Sequence, residues 1–230
     1  MPSPQGVHGM EYRPKWQSGF SLMELLICMA VMMVVTVAAI PTISRTLQAV
    51  KLQSSAQDFA TLLQRARILA VKNNTTYSIV VPAAVNGMQQ ACIDTNYSGT
   101  CDVTEPMVAL ASNVSLITDG SGPSTSQITC GALTTTCPNG FTGLNYFSQP
   151  ANAFASYNNR GLPCVGNPAT TEPNPTTTAC KEIDPNAKAV GFLFEFQYST
   201  GNGKTYAAVT VTPSGLVSEW SYNGSSWGQQ

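Results

Sequence analysis

Charge is scarce in this sequence. Only 10% of its 230 residues are charged, against roughly 25% in ordinary soluble domains. The formal net charge is −1, so no global electrostatic attraction to nucleic acid is expected. Histidine is scarcer still: His8 is the only one, and it precedes a long apolar run. Loss of the residues before that run removes the last imidazole, which excludes Ser-His-Asp and Cys-His catalysis and any zinc site that needs histidine. No pair of cysteines is separated by only two residues, so the usual thiolate metal knuckle is also missing. No constellation of paired carboxylates suggests acid–base work, and Glu195, in the middle of a strand pattern, reads as solvent-facing. The composition therefore argues against an enzyme.

What is present begins with residues 20–40, FSLMELLICMAVMMVVTVAAI, an apolar run of 21 residues with one charge, Glu24. As a helix rising about 1.5 Å per residue it is roughly 31 Å long, close to the ~30 Å hydrocarbon core of a bilayer. Arg13 and Lys15 lie just before it, and the positive-inside bias places the N-terminus in the cytoplasm and the residues after 41 outside. An ordinary signal peptide fits less well. Its apolar run is shorter and is followed, not preceded, by the small-residue cleavage site. A passive anchor leaves Glu24 unexplained, because a carboxylate inside an apolar segment is costly and usually has a specific partner.

Those residues carry a resemblance. Gly19-Phe20-Ser21-Leu22-Met23-Glu24-Leu25-Leu26 resembles the processing site of type IV prepilins. The resemblance implies cleavage between Gly19 and Phe20 by prepilin peptidase, N-methylation of the new Phe20 amine by the same peptidase/methyltransferase, and assembly with other pilin or pseudopilin subunits. Glu24 becomes the fifth residue of the mature chain, where the family carries its glutamate, and Pro41 falls at the family's helix-kinking proline. Within a filament Glu24 is expected beside the Phe20 amine of a neighbour. Pairing the two removes the penalty of an isolated buried charge. Cleavage takes Arg13, Lys15 and Glu11 with the leader and leaves 9 basic and 11 acidic side chains, a net of −2.

Four segments follow: a leader over residues 1–19, a transmembrane half-helix over 20–41, an amphipathic half-helix over 42–74, and a β-rich periplasmic or extracellular head over 75–230. In the third, Phe59, Leu62, Leu63, Ala66, Leu69 and Ala70 recur at three- and four-residue spacing, with Arg65, Arg67 and Lys72 off the stripe. Lys72-Asn73-Asn74 supplies a helix stop. In the head, residues 76–81 (TYSIVV) and 190–198 (VGFLFEFQY) read as strands. Phe192, Phe194, Phe196 and Tyr198 share one face, while Glu195 and Gln197 share the other. Turns at 201–203 and 213–215 then link two further strands, and Leu216, Ser218, Trp220 and Tyr222 share a face of the last. The aromatic row reads as core packed on the helix. The fold class is α+β, a long N-terminal helix on an antiparallel sheet domain.

The head also resembles one branch, the GspH/FimT-type minor pilins and pseudopilins, through residues 58–81, 91–110, 154–163 and 209–220 taken in order. That implies a subunit of a type IV pilus or of a type II secretion pseudopilus, held in the inner membrane by a single span with its head in the periplasm. The alternative is a DNA-binding minor pilin acting in natural transformation. Trp220 and Trp227 are candidate base-stacking groups for it. The tail nevertheless has no Lys or Arg after Lys204, and phosphate affinity needs cations.

Cys92, Cys101, Cys130, Cys137, Cys164 and Cys180 read as up to three disulfides in an oxidising compartment, with Cys28 in the apolar run. Fifteen connectivities exist for six cysteines. Sequential pairing, 92–101, 130–137 and 164–180, is favoured because each pair flanks one polar loop. Residues 94–105 (DTNYSGTCDVTE) also match the spacing of a calcium loop, with Asp94, Asn96, Ser98, Asp102 and Glu105 as oxygen ligands. Flanks that read as strands, and Cys101 tied to Cys92, favour a turn that needs no metal. No other cofactor is expected.

Overall fold

The computed structural model describes residues 20–117, 121–123, 128, 145–146, 154–166, 180–181, 191–200 and 203–230; the side chains of 38–42, 145–146, 154, 165–166 and 181 fall outside that description. The chain divides into two compact units, Met1–Ser44 and Arg45–Gln230. One helix, α1 (Leu22–Lys72), carries 51 residues.

In the second unit α1 is a core element. Leu52, Ala56, Phe59, Leu63, Ala66 and Ala70 are buried along one stripe, and Leu69 is partly buried beside it. The helix ends where Asn74 takes a left-handed φ of 50°. Thr75 N–H donates to Ala70 O at 3.0 Å and Asn74 N–H to Val71 O at 3.3 Å, the crossed bonds that satisfy the last carbonyls of a helix.

The strands form two sheets, as the α+β fold class with an antiparallel sheet domain allows. The first runs β3 (Met107–Ala109), β2 (Gln90–Asp94), β1 (Tyr77–Val80), β6 (Phe154–Tyr157), β7 (Pro163–Gly166), β8 (Cys180–Lys181), antiparallel throughout. The second runs β12 (Trp227–Gln229), β11 (Val217–Tyr222), β10 (Gly203–Val211), β9 (Phe192–Thr200), β4 (Val114–Ile117), also antiparallel, with β5 (Asn145–Tyr146) pairing parallel to β9. Tyr77, Ile79, Ile93 and Tyr157 of the first sheet and Phe192, Phe194, Phe196 and Val209 of the second share one core with the stripe of α1. The Phe59 ring meets Phe194 and Phe196 edge-on, at centroid distances of 4.8 and 5.1 Å.

The second face of β9 corrects the sequence reading. Alternation holds, but that face is covered. Leu193 joins Ile128, Ala208, Trp220 and Trp227 in a second apolar cluster. Glu195, expected to face solvent, has no exposed surface. It pairs in register with Ala208 and Ile117, and its carboxylate lies so close under Gly122 that a side chain at 122 would collide with it. Period-two patterning separates two faces without saying whether the polar one is wet. Leu216 also departs from expectation: it precedes β11 and is exposed, while Trp220 of that strand is buried.

Candidate functional site

At the start of α1, Leu25 N–H donates to Ser21 O at 3.1 Å, which makes Ser21 the cap and puts Glu24 in the first turn. A carboxylate there opposes the positive end of the helix dipole. From Phe20 to Val37 every side chain is exposed, including Leu22, Met23, Leu26, Met32 and Val34. The Thr36 hydroxyl is satisfied internally, since Thr36 Oγ1 donates to Met32 O and lies equally close, 2.9 Å, to Met33 O. Such a surface has no polar face to turn to water, and Glu24 is its one charged group. Among the described residues no helix is long and apolar enough to cross a membrane; the apolar sequence itself runs on through residues 38–40, whose side chains lie outside the description. Gly19 and the rest of 1–19 lie outside it too. Pro41 falls within α1, and Cys28 is an exposed free thiol.

The prokaryotic N-terminal methylation motif matches residues 17–40. This chain carries the type IV pilin and pseudopilin signature. The motif covers Gly19, Phe20 and Glu24 and stops one residue short of Pro41. It belongs to membrane-anchored precursors that prepilin peptidase processes and that assemble with other pilin-type subunits, a structural class of protein. No curated protein and no solved structure matches the chain.

In the head, disulfides join Cys92 to Cys101 and Cys164 to Cys180, with Cα–Cα distances of 5.6 and 5.2 Å; Cys130 and Cys137 fall outside the described residues. By register, Cys92, Ser78, Ser156 and Cys164 alternate with the core-facing Ile93, Ile79 and Ala155, so both staples lie on the face of the first sheet turned away from α1. Ser78 and Ser156 share a buried hydrogen bond of 2.7 Å on that face.

The loop over 94–105 is organised by its own carboxylates. Asp94, buried, accepts from Ser98 N–H at 3.0 Å through Oδ1 and from Gly99 N–H at 2.9 Å through Oδ2. Glu105, also buried, accepts from Thr95 N–H at 2.7 Å through Oε1 and from Asp102 N–H at 3.1 Å through Oε2. Asn96 Nδ2–H donates to Asp102 Oδ2 at 2.6 Å, and Asn96 Oδ1 accepts from Ser98 N–H. The five oxygens proposed as ligands are thus spread over a network of turn bonds, in which Asp94 and Glu105 hold the ends. Burial pushes the Asp94 carboxyl above its ordinary range, and the nearby Glu105 adds to this; the N–H donors of Gly99 and Ser98 oppose it. Tyr97, at a left-handed φ of 61°, stacks on Tyr77 and bonds Thr75 Oγ1 at 2.8 Å, anchoring the loop to the end of α1.

Two groups changed meaning. Trp220 and Trp227, the candidate base-stacking residues, are buried in the second cluster; the Trp220 indole donates to Thr210 Oγ1 at 3.0 Å. Arg67, read only as off the apolar stripe, ties α1 to the turn between β10 and β11 by donating to Gly215 O at 2.9 Å and Ser214 O at 3.3 Å. Its signal was faint: an arginine beside a helical stripe and a distant Pro-Ser-Gly turn.

Proposed function

We propose that this chain is a minor pilin or pseudopilin, cut between Gly19 and Phe20, methylated at the Phe20 amine, and held in the inner membrane by residues 20–41 with its head in the periplasm. The observation that carries the reading is the methylation motif on a helix start that is apolar on every side and bears one carboxylate, Glu24. A helix of that character needs a nonaqueous surrounding, first lipid and then the helices of neighbouring subunits. Glu24 supplies the counter-charge for a neighbour's Phe20 amine and thereby sets the axial register. Disulfide-stapled sheets suit an oxidising compartment outside the cytoplasm, which agrees with this orientation.

Mass spectrometry of the chain extracted from membranes tests the proposal. The expected N-terminus is Phe20 carrying one added methyl group. An N-terminus at Met1 in cells that hold an active prepilin peptidase, or a cut after residue 41, overturns it.

A further inference from the structure

Val103 is the most exposed large apolar side chain of the described residues, at 94%. A lone exposed valine is ordinary, but this one stands on a rigid tip. Glu105 N–H donates to Asp102 O at 3.0 Å, closing a four-residue turn with Val103 in its second position. Glu105 Oε2 holds Asp102 N–H, and the Cys92–Cys101 bond closes the loop one residue earlier. Asp102 flanks the valine and is partly exposed. A tip fixed in this way loses little conformational freedom on being buried.

The same unit contains a concavity of matching chemistry. An open groove of about 640 Å³ lies between the last turns of α1 and the turn before β11, its apolar lining made of the partly buried Val217 and the exposed Ile68, Val71 and Leu216. These last three are more than half exposed. Arg67 and Lys72 are the charged residues of the lining, which includes no carboxylate. Arg67 is held at the edge by the Ser214 and Gly215 carbonyls. The groove is an apolar trough with a cationic border, and its volume exceeds one valine, leaving room for the residues beside it.

We propose that the 102–104 tip of one copy docks in this groove of a neighbouring copy, Val103 against Ile68, Val71 and Leu216, and Asp102 toward Arg67 and Lys72. Charge complementarity and apolar character agree on both sides, and both halves of the contact belong to one chain. Because the two patches differ, the contact is heterologous and propagates from copy to copy, as a filament requires, rather than closing a two-fold dimer. The inference rests on the pilin-type reading and adds to it that this subunit neighbours itself.

The test is chemical cross-linking of the full chain in native membranes and sheared filaments. Wild type is expected to give a ladder of self-cross-linked species. Val103→Lys brings a cation to the cationic border, and the ladder should fall by about tenfold, since like charges at an interface strongly disfavour it. Val103→Leu should keep it. Adding Lys72→Glu to Val103→Lys should restore it, a rescue that a mere folding defect does not show. A ladder unchanged by Val103→Lys, a double variant without rescue, or cross-links only to an unlike subunit overturns the proposal. Failure of the pilin-type reading looks different: wild type itself is then missing from sheared filaments and keeps residues 1–19.

Discussion

Two stretches of α1 are equally helical, yet they behave as different materials. Residues 22–37 expose leucine, methionine and valine in every direction. From Leu52 to Ala70 the apolar groups other than the exposed Ile68 fall on one stripe, which is largely buried, while Gln53, Gln57, Asp58 and Arg65 stay wet. The second stretch is complete within its own unit, because two sheets cover its stripe. The first is incomplete alone. Its one carboxylate is the only position at which it has chemical rather than merely apolar specificity. Burial of a stripe stabilises a fold, whereas burial of a whole cylinder requires other molecules.

The largest effect is expected where that incompleteness is most specific. Glu24→Ala makes residues 20–40 more apolar and leaves the Gly19–Phe20 bond untouched, so membrane levels and cleavage should be normal. Assembly should fail, because an unpaired buried charge on the neighbour's Phe20 amine costs about 3–5 kcal/mol. The check is the amount of variant in sheared filaments. Wild-type amounts there mean that the first stretch is a passive anchor.

The converse change is Phe59→Ala in the second stretch. This ring is fully buried and contacts Phe194 and Phe196, and its loss should destabilise the head by about 3–5 kcal/mol. Cleavage and methylation should be unaffected. Thermal unfolding followed by circular dichroism, alongside mass spectrometry of the N-terminus, separates the two outcomes. An altered N-terminus would show that the two stretches are not independent.

How far these differences are written in the sequence follows from what each residue's neighbours in the chain can encode. The stripe from Phe59 to Ala70 and the Asn74 stop are local, and both are readable by spacing. The strands from β9 to β11 are likewise local, joined by short turns. The pairing of β1 with β6 is not, since Ile79 meets Ala155 across most of the head, and nothing in either strand names the other. The division into two sheets was therefore not legible. Neither was the burial of Glu195, whose carboxylate is covered by Gly122 arriving from elsewhere. At the site, Gly19, Phe20 and Glu24 form a contiguous motif and were legible. Arg67's grip on the Ser214 and Gly215 carbonyls was not, because a helix surface and a remote turn share no pattern.

The disulfides sharpen the contrast at intermediate size. Cys92→Ser with Cys101→Ser opens a loop of sequence separation 9, for which the chain-entropy relation gives roughly 2.5 kcal/mol. Cys92 is buried with Val80 and the partly buried Cys101 packs on them, so the head's melting temperature should drop. Filament incorporation should persist at temperatures where the head stays folded. Unchanged melting would mean that the carboxylate network alone holds the 94–105 loop.

The smallest effect is a pH dependence confined to that network. Asp94 is buried, and burial outweighs the Gly99 and Ser98 N–H donors, so its folded-state carboxyl titrates above the ordinary 3.8. An acid whose folded value is raised binds its proton more tightly in the folded state. Its contribution is fully present below about pH 3.8 and is lost as pH rises through the raised value, the reverse of the usual salt-bridged aspartate. Glu219 is shifted in the same direction, again by burial first, with a bond from Gln57 opposing it, so the whole protein's profile mixes the two. Asp94→Asn isolates the first. The amide keeps one acceptor for the Ser98 and Gly99 N–H groups where the carboxylate has two, and one lost hydrogen bond should cost about 1 kcal/mol. The variant's stability should also fall less than wild type's as pH rises from below 3.8. Denaturant titrations of both proteins across pH 3 to 6 measure this difference. Parallel profiles would show that Asp94 titrates as it does in the unfolded chain, its N–H donors then offsetting the burial.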